Sequence, residues 1–140
     1  MNVEPLAELQ TDEIVSQRIK ILIIDDDADQ AEVLAYRLRH QGFEVKHSVS
    51  AQRGARLAQE WLPDTILLDI RMPDGNGLDL CGQLSDDPVT AMIPVVLVSG
   101  AEMPQLVRKA RSAGSRFFVR KPYDPNVLLL LIQKTLQQYD

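Results

Sequence analysis

The sequence predicts an α/β fold built on a parallel sheet, with helices covering both faces. Two apolar runs carry most of that prediction, Ile21-Leu22-Ile23-Ile24 and Ile66-Leu67-Leu68 after Thr65. A strand with one wet face alternates polar and apolar residues, whereas an unbroken apolar run belongs to a strand buried on both faces. The third observation is order: short strand-like runs alternate with segments of helical period, as right-handed crossovers between parallel strands require.

Residues 21–25 read as the first strand, and 29–40 as a helix with Val33, Leu34 and Leu38 on one face and Gly42 as its stop. Residues 43–47 make a second strand, and 51–61 a helix that ends before Pro63. The third strand is 65–69, and the turn Pro73-Asp74-Gly75-Asn76-Gly77 leads into a helix through Leu78, Leu80 and Leu84. A fourth strand covers 94–98, a helix over 104–113 stops at Gly114, 116–120 is the fifth strand, and Pro125 opens the last helix. Residues 1–19 are polar, acidic and weakly periodic, which predicts a flexible N-terminal arm ahead of one domain over 20–140. There is no internal repeat and no low-complexity tract.

A chain of 140 residues, 45% hydrophobic and 25% charged, suits a single soluble core. The net charge of −5 works against sequence-independent nucleic-acid binding, which needs a positive field, so no direct nucleic-acid contact is expected. The one cysteine, Cys81, allows neither an internal disulfide nor a zinc-type ligand spacing, and a cytoplasmic location is expected. Residues 1–10 include Glu4 and Glu8 and lack a basic leader or apolar stretch; the longest apolar run, 127–132, is far short of the ~20 residues of a membrane helix. No membrane contact is expected.

Ligand sites in open parallel sheets lie at the carboxyl ends of the strands. Asp25, Asp26 and Asp27 end the first apolar run, and Asp69 ends the third. If the two strands are neighbours, these carboxylates share one crevice, where a hard cation such as Mg²⁺ relieves their repulsion.

Five separated motifs give this pattern a family resemblance: Ile24-Asp25-Asp26, Leu68-Asp69, Met72-Pro73 with Gly77, Val98-Ser99, and Arg120-Lys121-Pro122. In that order they resemble the receiver domain of two-component response regulators, over residues 20–138. The resemblance implies a flavodoxin-like, doubly wound sheet of five parallel strands in the order 2-1-3-4-5, with helices on both faces. It also implies site roles. Asp69 matches the phosphoacceptor, a nucleophile ionised at neutral pH and able to form an acyl phosphate. Asp26 matches a direct Mg²⁺ ligand and Asp25 one acting through water, with Asp69 and the Arg71 backbone carbonyl supplying further oxygens. Lys121 matches a cation suited to a carboxylate at rest and to a phosphoryl oxygen afterwards, and the pattern implies a cis Lys121-Pro122 bond. Ser99 matches the hydroxyl that donates to the phosphoryl group, and Phe118 the aromatic whose position follows Ser99.

Three departures from the family pattern stand out. Gly100 follows Ser99 where alanine is more usual, Phe118 lacks a tyrosine hydroxyl, and Arg71 sets a cation two residues after Asp69. The other distinctive residues have plainer readings. Asp27 reads as a solvated residue before the first helix, His40 as a helix C-terminal cation, His47 as a strand-end residue and Cys81 as a small buried thiol. Arg108, Lys109, Arg111 and Arg116 form a basic patch, solvated or used for docking.

The function expected is a phosphorylation-controlled switch, not an enzyme, served by a histidine kinase or histidine phosphotransfer protein and read by a partner or effector. A homodimer or partner contact through the 103–138 face is also expected. The apolar run 127–132 wraps the whole circumference of its helix, so part of it must stay at the surface. No effector segment is recognised after the last helix, which fits either a stand-alone domain or a piece of a larger protein. Two alternatives compete. A haloacid-dehalogenase-type, Mg²⁺-dependent phosphohydrolase needs an acid where Arg71 stands; a pseudo-receiver would keep the fold without phosphorylation.

Overall fold

The computed structural model describes residues 18–100, 105–115 and 117–138. The predicted arm, apart from Arg18 and Ile19, lies outside them, as do Arg116 of the basic patch and residue 104, where the fourth helix was expected to begin. The sheet strands are β1 (Lys20–Ile24), β2 (Glu44–Ser48), β3 (Thr65–Asp69), β4 (Val95–Ser99) and β5 (Phe117–Arg120). The helices are α1 (Ala28–His40), α2 (Ala51–Trp61), α3 (Gly77–Asp86), α4 (Leu106–Ser112) and α5 (Pro125–Gln138). All pairings in the five-stranded sheet are parallel, in the order β2-β1-β3-β4-β5, as the resemblance implied.

The apolar runs sort by parity. Leu22, Ile24, Ile66, Leu68 and Leu97 face a cluster with Ala51 and Ala58 of α2, Leu80, Cys81 and Leu84 of α3, and Leu106 and Ala110 of α4. Ile21, Ile23, Leu67, Val96 and Val98 face Ala31, Leu34, Ala35 and Leu38 of α1 and Leu128 and Ile132 of α5. The period of two along each strand thus feeds two cores, which is why these strands are apolar without interruption.

Local chemistry sets the helix ends. Asp27 caps α1 by accepting from the Gln30 N–H, Ser50 caps α2 by accepting from Arg53, and Asn76 caps α3 by accepting from Leu78. Gly42, just past α1, takes φ +95°, a conformation that favours glycine.

Three expectations need correction. Val33 is not on the buried face of α1: it is 60% exposed, and the buried stripe is Ala31, Leu34, Ala35 and Leu38. Val33 lies about 100° around the helix from Leu34, which turns it towards water. The segment after β3 is not a bare turn, because Arg71–Met72 and Gly75–Asn76 pair as a short antiparallel ribbon. The second strand begins one residue later than expected, at Glu44, because Phe43 ends the α1 loop by donating its N–H to the Leu38 carbonyl.

Candidate functional site

β1 and β3 are neighbours, in register from Ile21↔Thr65 to Ile24↔Leu68, so the residues following both runs emerge at the same edge of the sheet. Asp25, Asp26 and Asp69 each bring a carboxylate oxygen to within 4.8 Å of the others. Asp25 and Asp69 are buried and Asp26 is exposed. From the end of β5, the Lys121 ammonium donates to Asp25 Oδ2 and to Asp69 Oδ2, both at 3.0 Å. The Lys121-Pro122 bond is cis, as expected.

Backbone amides hold the other carboxylate oxygens of Asp25 and Asp69. The Asp27 N–H donates to Asp25 Oδ1 at 2.9 Å, and the Arg71 N–H donates to Asp69 Oδ1 at 3.1 Å. His47 Nε2 lies 3.0 Å from the Asp25 carbonyl oxygen, a contact to the site that its strand-end position alone did not reveal. Asp27 itself is exposed and serves as the α1 cap.

Burial pushes the Asp69 carboxyl above its ordinary pKa, partly offset by hydrogen bonds from Lys121 and the Arg71 amide. Burial also opposes the Lys121 charge, yet its hydrogen bonds to Asp25 and Asp69 prevail and hold the ammonium above its ordinary value. Lys121 thus carries its charge with the ammonium 3.0 Å from two carboxylates at once. One ammonium cannot balance three carboxylates, so the ionised cluster keeps a net negative charge. An all-oxygen donor set of that charge fits a small hard cation such as Mg²⁺.

Ser99 ends β4 fully buried, and its carbonyl accepts the Lys121 N–H at 2.8 Å, which ties the serine strand to the lysine loop. Phe118 is half-buried and packs against the α2–α3–α4 core rather than standing in water. The structure therefore brings Asp25, Asp26, Asp69 and Lys121 together and sets Ser99 and Phe118 on the two adjoining strands. The Arg71 side chain is exposed; the backbone of that residue is what touches Asp69.

Asp74 and Gly77 stand in the turn that the sequence marks after β3, and the structure gives each a further contact. Gly77 passes so close beneath the end of β3 that a Cβ there would press on the Asp69 carbonyl oxygen and sit 2.7 Å from the Ile70 Cα. Asp74, at the tip of the ribbon, accepts from the Ala51 N–H at 2.7 Å and from the Gln52 N–H at 3.0 Å, both in the first turn of α2. Those two hydrogen bonds hold the Asp74 carboxyl below its ordinary pKa. A turn motif carries no record of the distant helix it will touch.

Comparison with known proteins identifies relatives. The family described as response regulator receiver domain matches residues 21–133. The DNA-binding dual master transcriptional regulator RpaA of Synechocystis is 31% identical over 121 residues, covering 86% of this chain and 50% of its own length. Response regulator PleD of Caulobacter vibrioides is 32% identical over 120 residues, covering 86% and 26%. This chain thus spans half or less of these two curated relatives. Among solved structures, the receiver domain of a histidine kinase from Syntrophus aciditrophicus aligns with TM-score 0.79 at 30% identity, covering 85% of this chain and 90% of that one. A CheY-like receiver domain protein from Methanospirillum hungatei aligns with TM-score 0.83 over 88% of this chain and 97% of its own; at 24% identity that likeness speaks for the fold alone.

Proposed function

The chain belongs to the response regulator receiver domain family, a regulatory family of two-component signalling, and from that premise we propose that Asp69 is its phosphoacceptor and Mg²⁺ its cofactor. The observation that carries this reading is the placement of the Lys121 ammonium 3.0 Å from both Asp25 and Asp69, beside the exposed Asp26 carboxylate. Asp69 attacks the phosphorus of a phosphohistidine or a small acyl phosphate. An oxygen–phosphorus bond forms as the bond to the donor breaks, and the donor leaves with the electron pair. Asp26 and Asp69, the Arg71 carbonyl and, through water, Asp25 would hold the metal. When bound, Mg²⁺ supplies positive charge to the arriving phosphoryl oxygens.

Lys121 moves its hydrogen bond from the Asp69 carboxylate to a phosphoryl oxygen, which keeps a cation on the growing negative charge. Ser99 offers its hydroxyl from the neighbouring strand end, and Phe118 follows into the space that this movement opens. Arg71, standing where a phosphohydrolase of the haloacid-dehalogenase type carries its acid, argues against that alternative.

The donor is a histidine kinase or phosphotransfer protein, and the output passes to a partner or effector. Val107 on α4 and Val127 and Leu130 on α5 are 58%, 57% and 66% exposed, which supports the 103–138 face as a homodimer or partner surface. Sedimentation with and without beryllofluoride checks this: association should strengthen with the mimic, and a monomer in both states would leave only a different partner. A cytoplasmic location fits the absence, among the described residues, of any helix long and apolar enough to cross a membrane. RpaA is DNA-binding by name, and the match covers only half of its length. That this domain itself contacts no nucleic acid is our reading, supported by its net charge of −5.

Incubation with acetyl phosphate tests the phosphoacceptor. Intact-mass measurement should show one phosphoryl adduct, dependent on Mg²⁺ and absent in Asp69→Ala. Equal incorporation in that variant, or with chelator present, would overturn the assignment.

A further inference from the structure

We propose that Asp74 is a positioning residue for the phosphoacceptor: it ties the ribbon after β3 to the first turn of α2, and through the ribbon it fixes the Arg71 backbone against Asp69. The inference rests on the reading of Asp69 given above and concerns how its carboxylate is held. The connection can be followed atom by atom. Asp74 accepts from Ala51 N–H at 2.7 Å and Gln52 N–H at 3.0 Å, so both carboxylate oxygens bond to one rigid helix end. Asp74 lies between the two ribbon segments, whose pairs are Met72↔Gly75 and Arg71↔Asn76. Arg71 in turn donates its N–H to Asp69 Oδ1 at 3.1 Å.

Beyond the ribbon the chain is clamped again, by the Gly77 N–H donating to the Ile70 carbonyl at 2.7 Å and by the close passage of Gly77 beneath β3. The ribbon is therefore held at its base by Gly77 and at its tip by Asp74. Two-residue strands are too short to hold a geometry by themselves. Without the tip contact, the Arg71 N–H and carbonyl would be positioned by one end only. A group that orients what touches the reacting carboxylate sets metal affinity without touching the metal.

Loss of helix capping and loss of the tether can be separated, because α2 has two independent caps. Ser50 accepts the Arg53 N–H at 3.1 Å at the same helix end and contributes capping that does not run through the ribbon. Asp74→Ala and Ser50→Ala should both lower the melting temperature. Only Asp74→Ala should speed hydrogen exchange at the Arg71 amide in Mg²⁺-free buffer and weaken Mg²⁺ binding in a calorimetric titration, the latter by about 10-fold. Its rate of phosphorylation by acetyl phosphate at subsaturating Mg²⁺ should fall accordingly.

Wild-type values for both Arg71 exchange and Mg²⁺ affinity in Asp74→Ala would make Asp74 a helix cap alone and overturn the proposal; so would equal changes in Ser50→Ala. Should Asp74→Ala fail to fold, Asp74→Asn decides. It keeps one accepting oxygen and sets an NH₂ donor where the other stood, against an N–H, so both readouts should move in the same direction by a smaller amount, and wild-type values would overturn the proposal. If the wild-type chain took up no phosphate, the reading of Asp69 would fail, yet Arg71 exchange would still report on the tether.

Discussion

At the residue scale, the site depends as much on what is missing from a side chain as on what is present. Gly77→Ala should cost more than any surface change in this domain, because the added methyl meets the backbone of Asp69 and Ile70, which cannot step aside as a flexible side chain can. The expected outcome is a lower melting temperature together with slower phosphorylation. Gly82 is the contrast: it lies inside α3, a Cβ there meets nothing within 4 Å, and Gly82→Ala should stabilise by about 0.5–1 kcal/mol through helix propensity. Denaturant unfolding of the two variants should move in opposite directions. Cys81 gives a pH prediction. Burial pushes its thiol from 9.0 up to about 11, so above pH 9 the unfolded chain holds fewer protons than the folded one, and stability contributed here declines as pH rises from 9 towards 11. In the native protein at pH 8, a thiol reagent should react with Cys81 far more slowly than in denaturant. Cys81→Ala should flatten the alkaline fall in stability.

At the element scale, α5 shows how one apolar run divides between two tasks. Leu128 and Ile132 are buried against the sheet, whereas Leu130 is 66% exposed. Leu128→Ala should therefore cost about 2–5 kcal/mol, as core truncations do. Leu130→Ala should change monomer stability by less than about 0.5 kcal/mol. Equilibrium unfolding distinguishes them, and similar losses for both would contradict the division. The sequence made the surplus of leucines visible, since six consecutive apolar residues cannot all face one way. Which leucine stayed outside depended on the rotation of the helix on the sheet, and single-residue periodicity did not resolve that, as the misplacement of Val33 on α1 shows. The ribbon after β3 leaves no mark in the sequence for a related reason. Pairs of two residues carry no periodicity, and Gly75 and Asn76 read as turn chemistry whether or not they bond across to Met72 and Arg71.

At the scale of the whole molecule, folding gathers acidic groups that repel one another, and a cation should stabilise the folded state. Mg²⁺ at about 100 times its dissociation constant should add about 2.7 kcal/mol to wild-type stability, by mass action. Asp26→Asn should lose much of that increment, because it removes the exposed carboxylate of the cluster without disturbing the Lys121 contacts. Thermal unfolding with and without Mg²⁺ measures both; an equal gain in the variant would remove Asp26 from the ligand set. The sequence by itself determined the class of sheet, the strands that end in carboxylates, the helix breaks at Gly42 and Gly114, and the residues we propose for phosphoryl chemistry, because each is written in local composition, periodicity or motif. Only the tertiary structure decided that Lys121 meets Asp25 and Asp69 at equal distance, that Arg71 acts on Asp69 through its amide while its side chain faces solvent, and that Asp74 reaches across to α2. Those contacts join residues up to 96 positions apart. Their geometry follows from strand order and register, which are properties of the assembled sheet and of no segment alone.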